Sequence, residues 1–371
     1  MKVALLSDCY LPRLGGIEVQ VHDLARHLQG AGHEVEAFTA TRGPARRRRG
    51  TDIVDGIPVH RLAAPLPRDL PVNPLAVPVV RSMLRAGGFD VAHVHMGVVS
   101  PFAMDCVRVA LGLQLPTAVT WHCVQAHLVP AVRAAGYVAR WARRGAVLSA
   151  VSKVAAAPIA ELAGPLQRVA VLPNGIDVDR WAPQSRGLRP GVRIVSAMRL
   201  MTRKRPVQLL EMVAEVRRQV PGSGIRLDVL GEGPLRPRLE RAARDLGAQS
   251  WFSAPGRMSR DALREQYLRS DVYVAPAQLE AFGIAALEAR TTGLPVVAPR
   301  RSGVSEFVED GVNGLLGGDD RGLVEALVRL AREEELRRRI TVHNETHPPR
   351  EQWSYVVQAV LAEYHRAQGR A

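Results

Sequence analysis

Short apolar runs alternate with longer segments of helical periodicity along almost the whole chain. The apolar runs lie at 2–6, 34–39, 57–61, 89–95, 115–121, 146–151, 169–172, 192–197, 225–230, 251–255, 272–275 and 296–298. Runs of this length are typical of buried strands, and helices between consecutive strands indicate βαβ units. The pattern therefore predicts an α/β fold built on parallel sheets.

The helical segments and turn signals divide the chain into two halves. Apolar residues recur at helical spacing in 17–29, 126–144, 206–219, 258–270, 321–339 and 350–368, whereas the proline-rich segment 65–78 reads as an irregular connection. Between the halves, residues 173–177 read Pro-Asn-Gly-Ile-Asp, and an Asn-Gly pair permits positive φ in a turn. We predict a domain boundary there, with domains at 1–172 and 173–349.

The stretch 276–298 combines a strand end, a short loop and the start of a helix. The loop holds Glu280, Phe282 and Gly283, and Glu288 lies inside the helix. Unpaired N–H groups at a helix N-terminus attract phosphate, and carboxylates accept hydrogen bonds from hydroxyls. The stretch therefore suits a polyol bound through its phosphate. The alternative is that Glu280 only complements the helix dipole and Glu288 is a solvated helix residue.

Two other strand ends lead into candidate phosphate-binding loops. Gly15 and Gly16 open a helix after the first strand, and glycines let the backbone come close to a ligand. In the second half, Arg199 and Lys204 follow a strand and precede a helix, which suits a diphosphate. A solvated basic turn is the alternative for this pair. The Gly-Gly pair is not the dinucleotide fingerprint, so no nicotinamide cofactor is predicted.

Three histidines lie at the ends of predicted strands. His93 and His95 end the run at 89–95, and His122 follows the run at 115–121. Because open α/β sheets bind ligands beyond the carboxyl ends of their strands, these side chains could touch a substrate. A structural role is the alternative. No metal site is predicted, since no third and fourth ligand lies at a fitting spacing.

Composition describes a globular chain with room for two domains. The chain has 371 residues, of which 47% are hydrophobic and 23% charged, and it holds three widely spaced cysteines, Cys9, Cys106 and Cys123. This usage argues against a disulfide framework and for a reducing compartment. We expect no signal peptide and no membrane span, because the start reaches Asp8 before an apolar region can form and charges interrupt the apolar segment 98–121.

The formal net charge of +14 is carried almost entirely by arginine. It favours anionic partners such as nucleotide phosphates or acidic lipid headgroups. Nucleic acid is not predicted, since no nucleic-acid-binding motif is present and aromatic residues make up only 5% of the chain. The runs 46–49 and 133–144 suggest contact with an anionic membrane, or for the first run with a phosphorylated acceptor. Solvated surface is the alternative for both.

The run 280–288, Glu-Ala-Phe-Gly-Ile-Ala-Ala-Leu-Glu, resembles the E-x7-E signature of retaining glycosyltransferases of the GT-B fold, in particular glycosyltransferase family 4. Other segments resemble landmarks of that family at 15–16 (Gly-Gly), 120–122 (Thr-Trp-His), 173–177, 199–204 (Arg-Leu-x-x-x-Lys), 231–234 (Gly-Glu-Gly-Pro) and 302–306 (Ser-Gly-Val-Ser-Glu). Arg205 stands where the family usually has glycine, and Ser302 replaces another glycine. The resemblance implies two Rossmann-like α/β domains facing across a cleft, with 350–371 completing the N-terminal one.

The resemblance also implies roles for single residues. Arg199 and Lys204 would hold a diphosphate, and His122 would lie near the reacting sugar carbon. Glu280 would bind sugar hydroxyls and Glu288 ribose hydroxyls. The remaining implied substrate contacts are Gly15 and Gly16 near the donor phosphate and the acceptor, and His95 facing the cleft. They also include Gly231 in the Gly-Glu-Gly-Pro turn, Arg257 near the nucleotide base, and Phe282, Gly283 and Ile284 at the helix N-terminus.

The activity implied is transfer of a hexosyl unit from GDP-mannose or a UDP-hexose to a lipid, glycan or small-molecule acceptor. We expect no cofactor and no metal, because the basic pair would neutralise the diphosphate. We expect a cytoplasmic protein, with contact at the inner face of the plasma membrane as a hypothesis. Alternatives are a sugar phosphorylase, an epimerase, or a non-catalytic nucleotide-sugar-binding protein on the same fold.

Overall fold

The computed structural model describes residues 1–13, 15–66, 70–124, 132–133, 135–165, 167–184 and 191–369. The chain forms two compact units. The N-terminal unit comprises Met1–Gly175 together with Trp353–Ala371, and the C-terminal unit comprises Ile176–Gln352. The polypeptide therefore passes from one unit to the other twice, at 175–176 and at 352–353.

The N-terminal unit is built on a sheet of eight strands among its described residues, in the order β3-β4-β2-β1-β5-β6-β7-β8. The strands are β1 (Lys2–Ser7), β2 (Glu34–Thr39), β3 (Arg49–Val54), β4 (Ile57–Leu62), β5 (Val91–Met96), β6 (Thr117–Trp121), β7 (Val147–Ala150) and β8 (Val169–Val171). Neighbouring strands are parallel except β3 and β4, which form an antiparallel hairpin at the edge. Helices connect the parallel strands: α1 (Gly16–Gly30), α2 (Val77–Ala86), α3 (Pro101–Gly112), α4 (Tyr137–Arg143) and α5 (Lys153–Ala163).

The C-terminal unit is built on a sheet of six parallel strands in its described part, in the order β11-β10-β9-β12-β13-β14. The strands are β9 (Arg193–Ala197), β10 (Arg226–Leu230), β11 (Phe252–Gly256), β12 (Val272–Val274), β13 (Val296–Pro299) and β14 (Gly314–Gly317). The helices are α6 (Pro206–Gln219), α7 (Arg236–Asp245), α8 (Arg260–Leu268), α9 (Ile284–Thr291), α10 (Asp320–Arg332) and α11 (Glu334–Thr346).

The last helix, α12 (Trp353–Ala367), belongs to the N-terminal unit. Its apolar stripe of Trp353, Val356, Val360 and Tyr364 is buried in the same core as α1. The Tyr364 hydroxyl also lies 2.8 Å from Nδ1 of His93 on β5. The apolar spacing seen in the sequence is therefore the packing face of this helix.

The strand order identifies where ligands are expected. In the N-terminal sheet, the chain runs from β1 to β2 on one side and returns to β5 on the other side. In the C-terminal sheet, the chain likewise runs from β9 to β10 on one side of β9 and returns to β12 on its other side. Ligands of such sheets bind outside the carboxyl ends of the strands at this switch point. The switch points lie at the ends of β1 and β5, and of β9 and β12.

The prediction of two α/β units with parallel sheets is confirmed, and four local predictions are wrong. The apolar pattern predicts no strand between residues 39 and 57, but β3 begins at Arg49 and is a mostly exposed edge strand that lacks an apolar pattern. Helix α2 begins inside the segment expected to be irregular, with a proline in its first turn, where proline is tolerated. The segment 321–339 is two helices, because Glu333 has a non-helical ψ of 83°. Of the helix expected at 126–144, only α4 is a named element, and residues 125–131 and 134 lie outside the described residues.

The fourth correction concerns Gly175 in the Pro-Asn-Gly-Ile-Asp segment. Its φ lies outside the left-handed range, so the expected positive φ is not what requires glycine here. A Cβ at this position would meet the indole of Trp353, with Cε2 at 2.5 Å. The Gln20 side chain on α1 also forms two hydrogen bonds with the Gly175 backbone, donating to its carbonyl at 3.0 Å and accepting from its N–H at 2.9 Å. Glycine is therefore needed for close approach between this segment and α12.

Candidate functional site

In the C-terminal unit, the loop after β12 delivers Glu280 to the start of α9. Gly283 immediately precedes α9 and has φ +92°, a conformation that favours glycine. A Cβ there would also meet Val304 Cγ2 at 2.6 Å. The first N–H groups of α9, from Ile284 onwards, have no partner within the helix because helix geometry provides none. They form the positive end of a helix dipole beside the Glu280 loop.

Glu280 and Lys204 form an ion pair at this switch point. Lys204 Nζ contacts Glu280 Oε2, although the two residues are 76 positions apart in the chain. Both side chains keep partial exposure, 25% for Lys204 and 16% for Glu280. The structure thus brings together two of the predicted residues, one after β9 and one after β12. A diphosphate at this position would compete with Glu280 for the ammonium group.

Arg199 lies in the same loop as Lys204, and two glycines hold that loop in place. Its side chain is exposed. Gly231 has φ +129°, and a Cβ on it would collide with the carbonyl oxygen of Met198. A Cβ on Gly233 would similarly meet Leu200, with the carbonyl carbon at 2.7 Å. The Gly-Glu-Gly-Pro turn is therefore a support for the Arg199 loop, and this explains its glycines without any ligand.

The other residues predicted in this unit differ in exposure. Phe282 is buried at 2% exposure and packs against Phe307, so its side chain is part of the core and only its backbone could meet a ligand. Glu288 on α9 is 6% exposed and lies 3.8 Å from an Arg260 guanidinium nitrogen. Arg257 follows β11 and is exposed. The solvated-residue alternative for Glu288 is therefore wrong.

In the N-terminal unit, the loop after β1 carries Gly15 and Gly16 to the start of α1, and both are exposed. Asp8 begins this loop and was not singled out from the sequence. Its buried carboxylate accepts hydrogen bonds from Phe102 N at 3.1 Å and Ala103 N at 3.4 Å, at the start of α3. Burial raises the pKa of Asp8 to about 7. The residue fixes the end of β1 to α3.

The three predicted histidines form one buried cluster. His95 Nδ1 lies 3.0 Å from His122 Nε2, and the rings of His93 and His95 lie 4.1 Å apart. His93 Nε2 lies 2.7 Å from the Thr120 hydroxyl, which lies 2.7 Å from the Ser149 hydroxyl. The cluster forms because β5 and β6 are parallel neighbours, so residues at their ends meet.

His95 differs from the expectation that it faces an open cleft. It is 2% exposed, and its Nε2 atom has no hydrogen-bond partner among the described residues. A cavity of about 30 Å³ lies beside it, lined also by His122, Asn174 and Gln20. This volume corresponds to roughly one water molecule. His122, which is hydrogen-bonded to Asn174, is the more accessible member of the pair.

Burial keeps this cluster uncharged. It lowers the pKa of His122 to about 4, although the hydrogen bond with Asn174 opposes the shift. Burial, together with the nearby His122, lowers the pKa of His93 to about 3. The same causes, with His93 added, place the pKa of His95 well below its usual value. At neutral pH His122 is therefore a neutral hydrogen-bonding group.

We expect acid to destabilise the folded chain through this cluster. The pKa of His93 is lower in the folded state than its ordinary 6.5, so the unfolded chain binds more protons below pH 6.5 and stability falls as the pH falls. His93→Gln should flatten this dependence by about 1.4 kcal/mol per pH unit between about pH 6 and pH 4. Denaturant titrations at several pH values measure the slope.

Asp8→Asn provides a control of opposite sign. Burial raises the pKa of Asp8 from 3.8 to about 7, so between these pH values the folded chain binds a proton that the unfolded chain does not. The contribution of Asp8 to the stability of the fold therefore decreases as the pH rises through this range. Asp8→Asn should therefore steepen the loss of stability on acidification. Equal slopes for His93→Gln and the wild type would contradict the assignment of a neutral His93.

The basic segments suggested for membrane contact are exposed but partly paired. Arg46 to Arg49 are all exposed, and Arg47 Nη1 lies 3.1 Å from Asp52 Oδ1. Arg133 contacts Glu161, and Arg144 donates to the Leu111 carbonyl at 3.1 Å. Among the described residues, no helix is long and apolar enough to cross a membrane.

Sequence reasoning missed two further groups. Asn174, which bonds His122, was treated only as a turn residue. Arg205 was noted only as a departure from a family pattern, yet its guanidinium forms two hydrogen bonds with Asp320, at 2.7 Å and 2.5 Å. A charged residue at a position typical of glycine was the available signal for Arg205. Its partner lies 115 residues away, and no local pattern indicates it.

Two family models match consecutive parts of this chain. The model described as Glycosyltransferase Family 4 matches residues 14–180. The model described as Glycosyl transferases group 1 matches residues 184–346. The first covers most of the N-terminal unit and the second most of the C-terminal unit.

Curated relatives align along nearly the full length. A GDP-mannose-dependent alpha-mannosyltransferase of Mycobacterium tuberculosis is 26% identical over 100% of this chain and 98% of its own length. A D-inositol 3-phosphate glycosyltransferase of Acidothermus cellulolyticus is 31% identical over 95% of this chain and 86% of its own length. The similarity to the second relative extends over nearly the whole of this chain and shows that the two proteins belong to one family.

Solved structures share the fold. Anabaena HepE, in complex with UDP and glucose, superposes with a TM-score of 0.76 at 18% identity and covers 98% of both chains. The two-unit α/β architecture with parallel sheets matches the GT-B glycosyltransferases among these structures.

Proposed function

Because this chain belongs to glycosyltransferase family 4, among the group 1 glycosyltransferases, we propose that it transfers a mannosyl unit from GDP-mannose to an acceptor hydroxyl with retention of configuration. That it is a glycosyltransferase using a nucleotide sugar follows from the family. The donor base, the sugar, the stereochemistry and the acceptor are the proposal.

The Lys204–Glu280 pair beside the start of α9 is the observation that carries the proposal. An ammonium group, a helix N-terminus and a carboxylate occur together at the carboxyl ends of β9 and β12. The first two recognise a diphosphate, and the carboxylate accepts hydrogen bonds from sugar hydroxyls. A nucleotide-diphosphate sugar carries both chemical groups on adjacent atoms.

The proposed chemistry uses these charges on the leaving group. As the bond between the sugar and the phosphate breaks, negative charge grows on the diphosphate, and Arg199, Lys204 and the α9 N-terminus stabilise it. We propose that these groups replace a metal ion in that role. The acceptor oxygen then bonds to the anomeric carbon on the same face that the nucleotide diphosphate leaves, and the leaving phosphate takes up the acceptor proton. Attack on that face gives retention.

Support for GDP-mannose comes from the names of relatives. Several of them are GDP-mannose-dependent mannosyltransferases, from Mycobacterium tuberculosis and Mycolicibacterium smegmatis. A solved structural neighbour binds UDP, so a UDP-hexose is the competing donor. For the acceptor we propose a hydroxyl compound that is a lipid, a glycan or a small molecule. We place the reaction in the cytoplasm, with the exposed 46–49 segment as a candidate contact with an anionic membrane.

A thermal-shift panel tests the donor. We expect GDP and GDP-mannose, but not UDP, ADP or their sugars, to raise the unfolding midpoint by about 5 °C at a concentration of about 100 times Kd. The shift should be the same in EDTA and in Mg²⁺. A larger shift with UDP would replace the donor, and a shift that requires Mg²⁺ would overturn metal independence.

Product analysis then tests the reaction itself. Incubation with GDP-mannose and extracts of candidate acceptors should yield an α-mannoside, identified by the one-bond coupling at the anomeric carbon in NMR. A β-mannoside would overturn retention. Binding of GDP-mannose with no release of GDP in any acceptor mixture would favour a non-catalytic nucleotide-sugar-binding protein.

A further inference from the structure

Arg205 connects three separate parts of the candidate donor site. Its guanidinium accepts no hydrogen bonds, so every contact is a donation. Nη1 donates to Asp320 Oδ1 at 2.7 Å and to the Pro276 carbonyl at 3.2 Å, and Nη2 lies 2.5 Å from Asp320 Oδ2. Asp320 also accepts from Gln278 Nε2 at 3.3 Å. The fork therefore joins the turn carrying Lys204, the loop carrying Glu280 and the first turn of α10.

The backbone of Arg205 shows that the side chain is needed here. Its φ is +60° and its ψ is +45°, a left-handed conformation in which glycine is favoured and a long side chain is strained. The chain nevertheless places arginine at this position, directly after Lys204. The bidentate geometry with Asp320 is the strong form of an arginine–carboxylate pair.

The electrostatics agree with a formed ion pair. The Asp320 carboxylate raises the pKa of Arg205, and the Arg205 guanidinium lowers the pKa of Asp320. Arg205 is 20% exposed and Asp320 is 47% exposed. The guanidinium is thus shielded on the side of the Glu280 loop, and the carboxylate remains open to solvent.

We propose that Arg205, held by Asp320, is a positioning residue that keeps Lys204 and Glu280 next to each other in the arrangement that binds the donor. The proposal rests on the donor site proposed above. The Arg205–Asp320 clamp, as we name this pair, fixes the position of the 276–280 loop before ligand arrives. We assign Arg205 no direct contact with the donor, because both of its terminal nitrogens already donate within the protein, to Asp320 and to the Pro276 carbonyl.

The clamp predicts a specific kinetic pattern. Without it, the loop samples positions in which Lys204 and Glu280 do not converge, and the apparent dissociation constant rises in proportion to the lost competent fraction. In Arg205→Gly, which also relieves the backbone strain, the donor KM should rise about tenfold while kcat changes less than about threefold. The effect on kcat is small because the donor, once bound, itself holds the segments that carry Lys204 and Glu280 in place. A purely structural loss would instead lower the active fraction, reducing kcat at constant KM.

Matched variants separate the clamp from general charge effects. Asp320→Asn should raise the donor KM in the same way as Arg205→Gly, and the double variant should be no worse than Arg205→Gly alone, because Arg205→Gly already removes the ion pair that Asp320→Asn breaks. Arg205→Lys, which keeps one charged contact but lacks the fork, should lie between Arg205→Gly and the wild type. Arg203→Ala removes an exposed arginine from the same turn and should leave KM unchanged.

Hydrogen exchange of the ligand-free protein tests the clamp without any nucleotide. We expect Arg205→Gly to speed amide exchange of residues 202–204 and 277–280 about tenfold, with no change in the N-terminal unit. Unchanged exchange in these segments, or additive losses of GDP affinity in the double variant, would overturn the clamp. Faster exchange together with a wild-type protein that binds neither GDP nor UDP would uphold the clamp and overturn the proposed function.

Discussion

Replacing Lys204 by alanine is expected to lower kcat/KM for the nucleotide sugar by about 10²- to 10³-fold, the range seen when one preorganised donor of an anion-stabilising site is lost. Lys204 is the basic residue that contacts Glu280 at the switch point, and it lies two residues before the start of α6. Because charge grows on the diphosphate as the sugar leaves, its ammonium group interacts more strongly with the transition state than with the bound donor. Both kcat and donor affinity should therefore fall. Steady-state kinetics and titration with GDP measure the two effects.

Two variants sharpen this prediction. Lys204→Arg keeps the charge but not the shape, so it should recover part of the activity, and Arg203→Ala should be neutral because Arg203 is an exposed neighbour. Donor affinity and kcat of Lys204→Ala equal to those of the wild type would disprove the diphosphate assignment.

Glu280→Gln tests the other side of the same pair. In the free protein the carboxylate neutralises Lys204, so a diphosphate must displace it. Glu280→Gln should leave the affinity for GDP unchanged or increase it, because the charge that competes for Lys204 is removed. The affinity for GDP-mannose should fall relative to that for GDP, because the sugar hydroxyls lose their hydrogen bonds to a carboxylate. The ratio of the two dissociation constants reports this difference. An equal loss for GDP and GDP-mannose would argue that Glu280 does not contact the sugar.

Much of the fold could be predicted because central parallel strands are buried on both faces and read as continuous apolar runs. β1, β9 and β13 are of this kind. β3 was missed for the opposite reason, since an exposed edge strand needs no apolar pattern. The break at Glu333 was missed because neither glycine nor proline marks it.

The candidate site was predictable in its residue types but not in its contacts. His95 lies near the end of β5 and His122 directly follows β6, so their proximity could be inferred from the pairing of these two strands. The burial of His95 could not, because it depends on how α12 and the 172–175 segment close over it. The partners of Arg205 are set by tertiary packing alone.

Gly303→Ala is expected to displace the Glu280 loop, because Gly303 packs against the backbone of that loop. A Cβ on Gly303 would collide with the Ala281 carbonyl and lie 2.7 Å from Phe282 N. The Gly303 N–H also donates to the Glu280 carbonyl at 2.8 Å, so the two segments cannot separate without losing this bond. The added methyl group must therefore displace the Glu280 loop or the 302–306 turn.

The expected cost is about 2–3 kcal/mol of unfolding free energy, the upper range for one extra methyl group in a packed site. Donor binding should weaken further than this loss of stability explains, because the displaced loop carries Glu280 and leads into the N-terminus of α9. Unfolding transitions and GDP-mannose titration below the unfolding midpoint of the variant measure the two effects separately.

Gly318→Ala is the matched control, since nothing lies within 4 Å of a Cβ built on Gly318 and its φ lies outside the left-handed range. It should leave both stability and donor binding unchanged. If Gly303→Ala bound GDP-mannose with wild-type affinity despite a lower midpoint, the loop would tolerate displacement, and Glu280 would not be a donor contact. If Gly303→Ala weakened donor binding and Glu280→Gln did not, the effect would instead be assigned to the N-terminus of α9, because Glu280→Gln leaves the start of that helix intact.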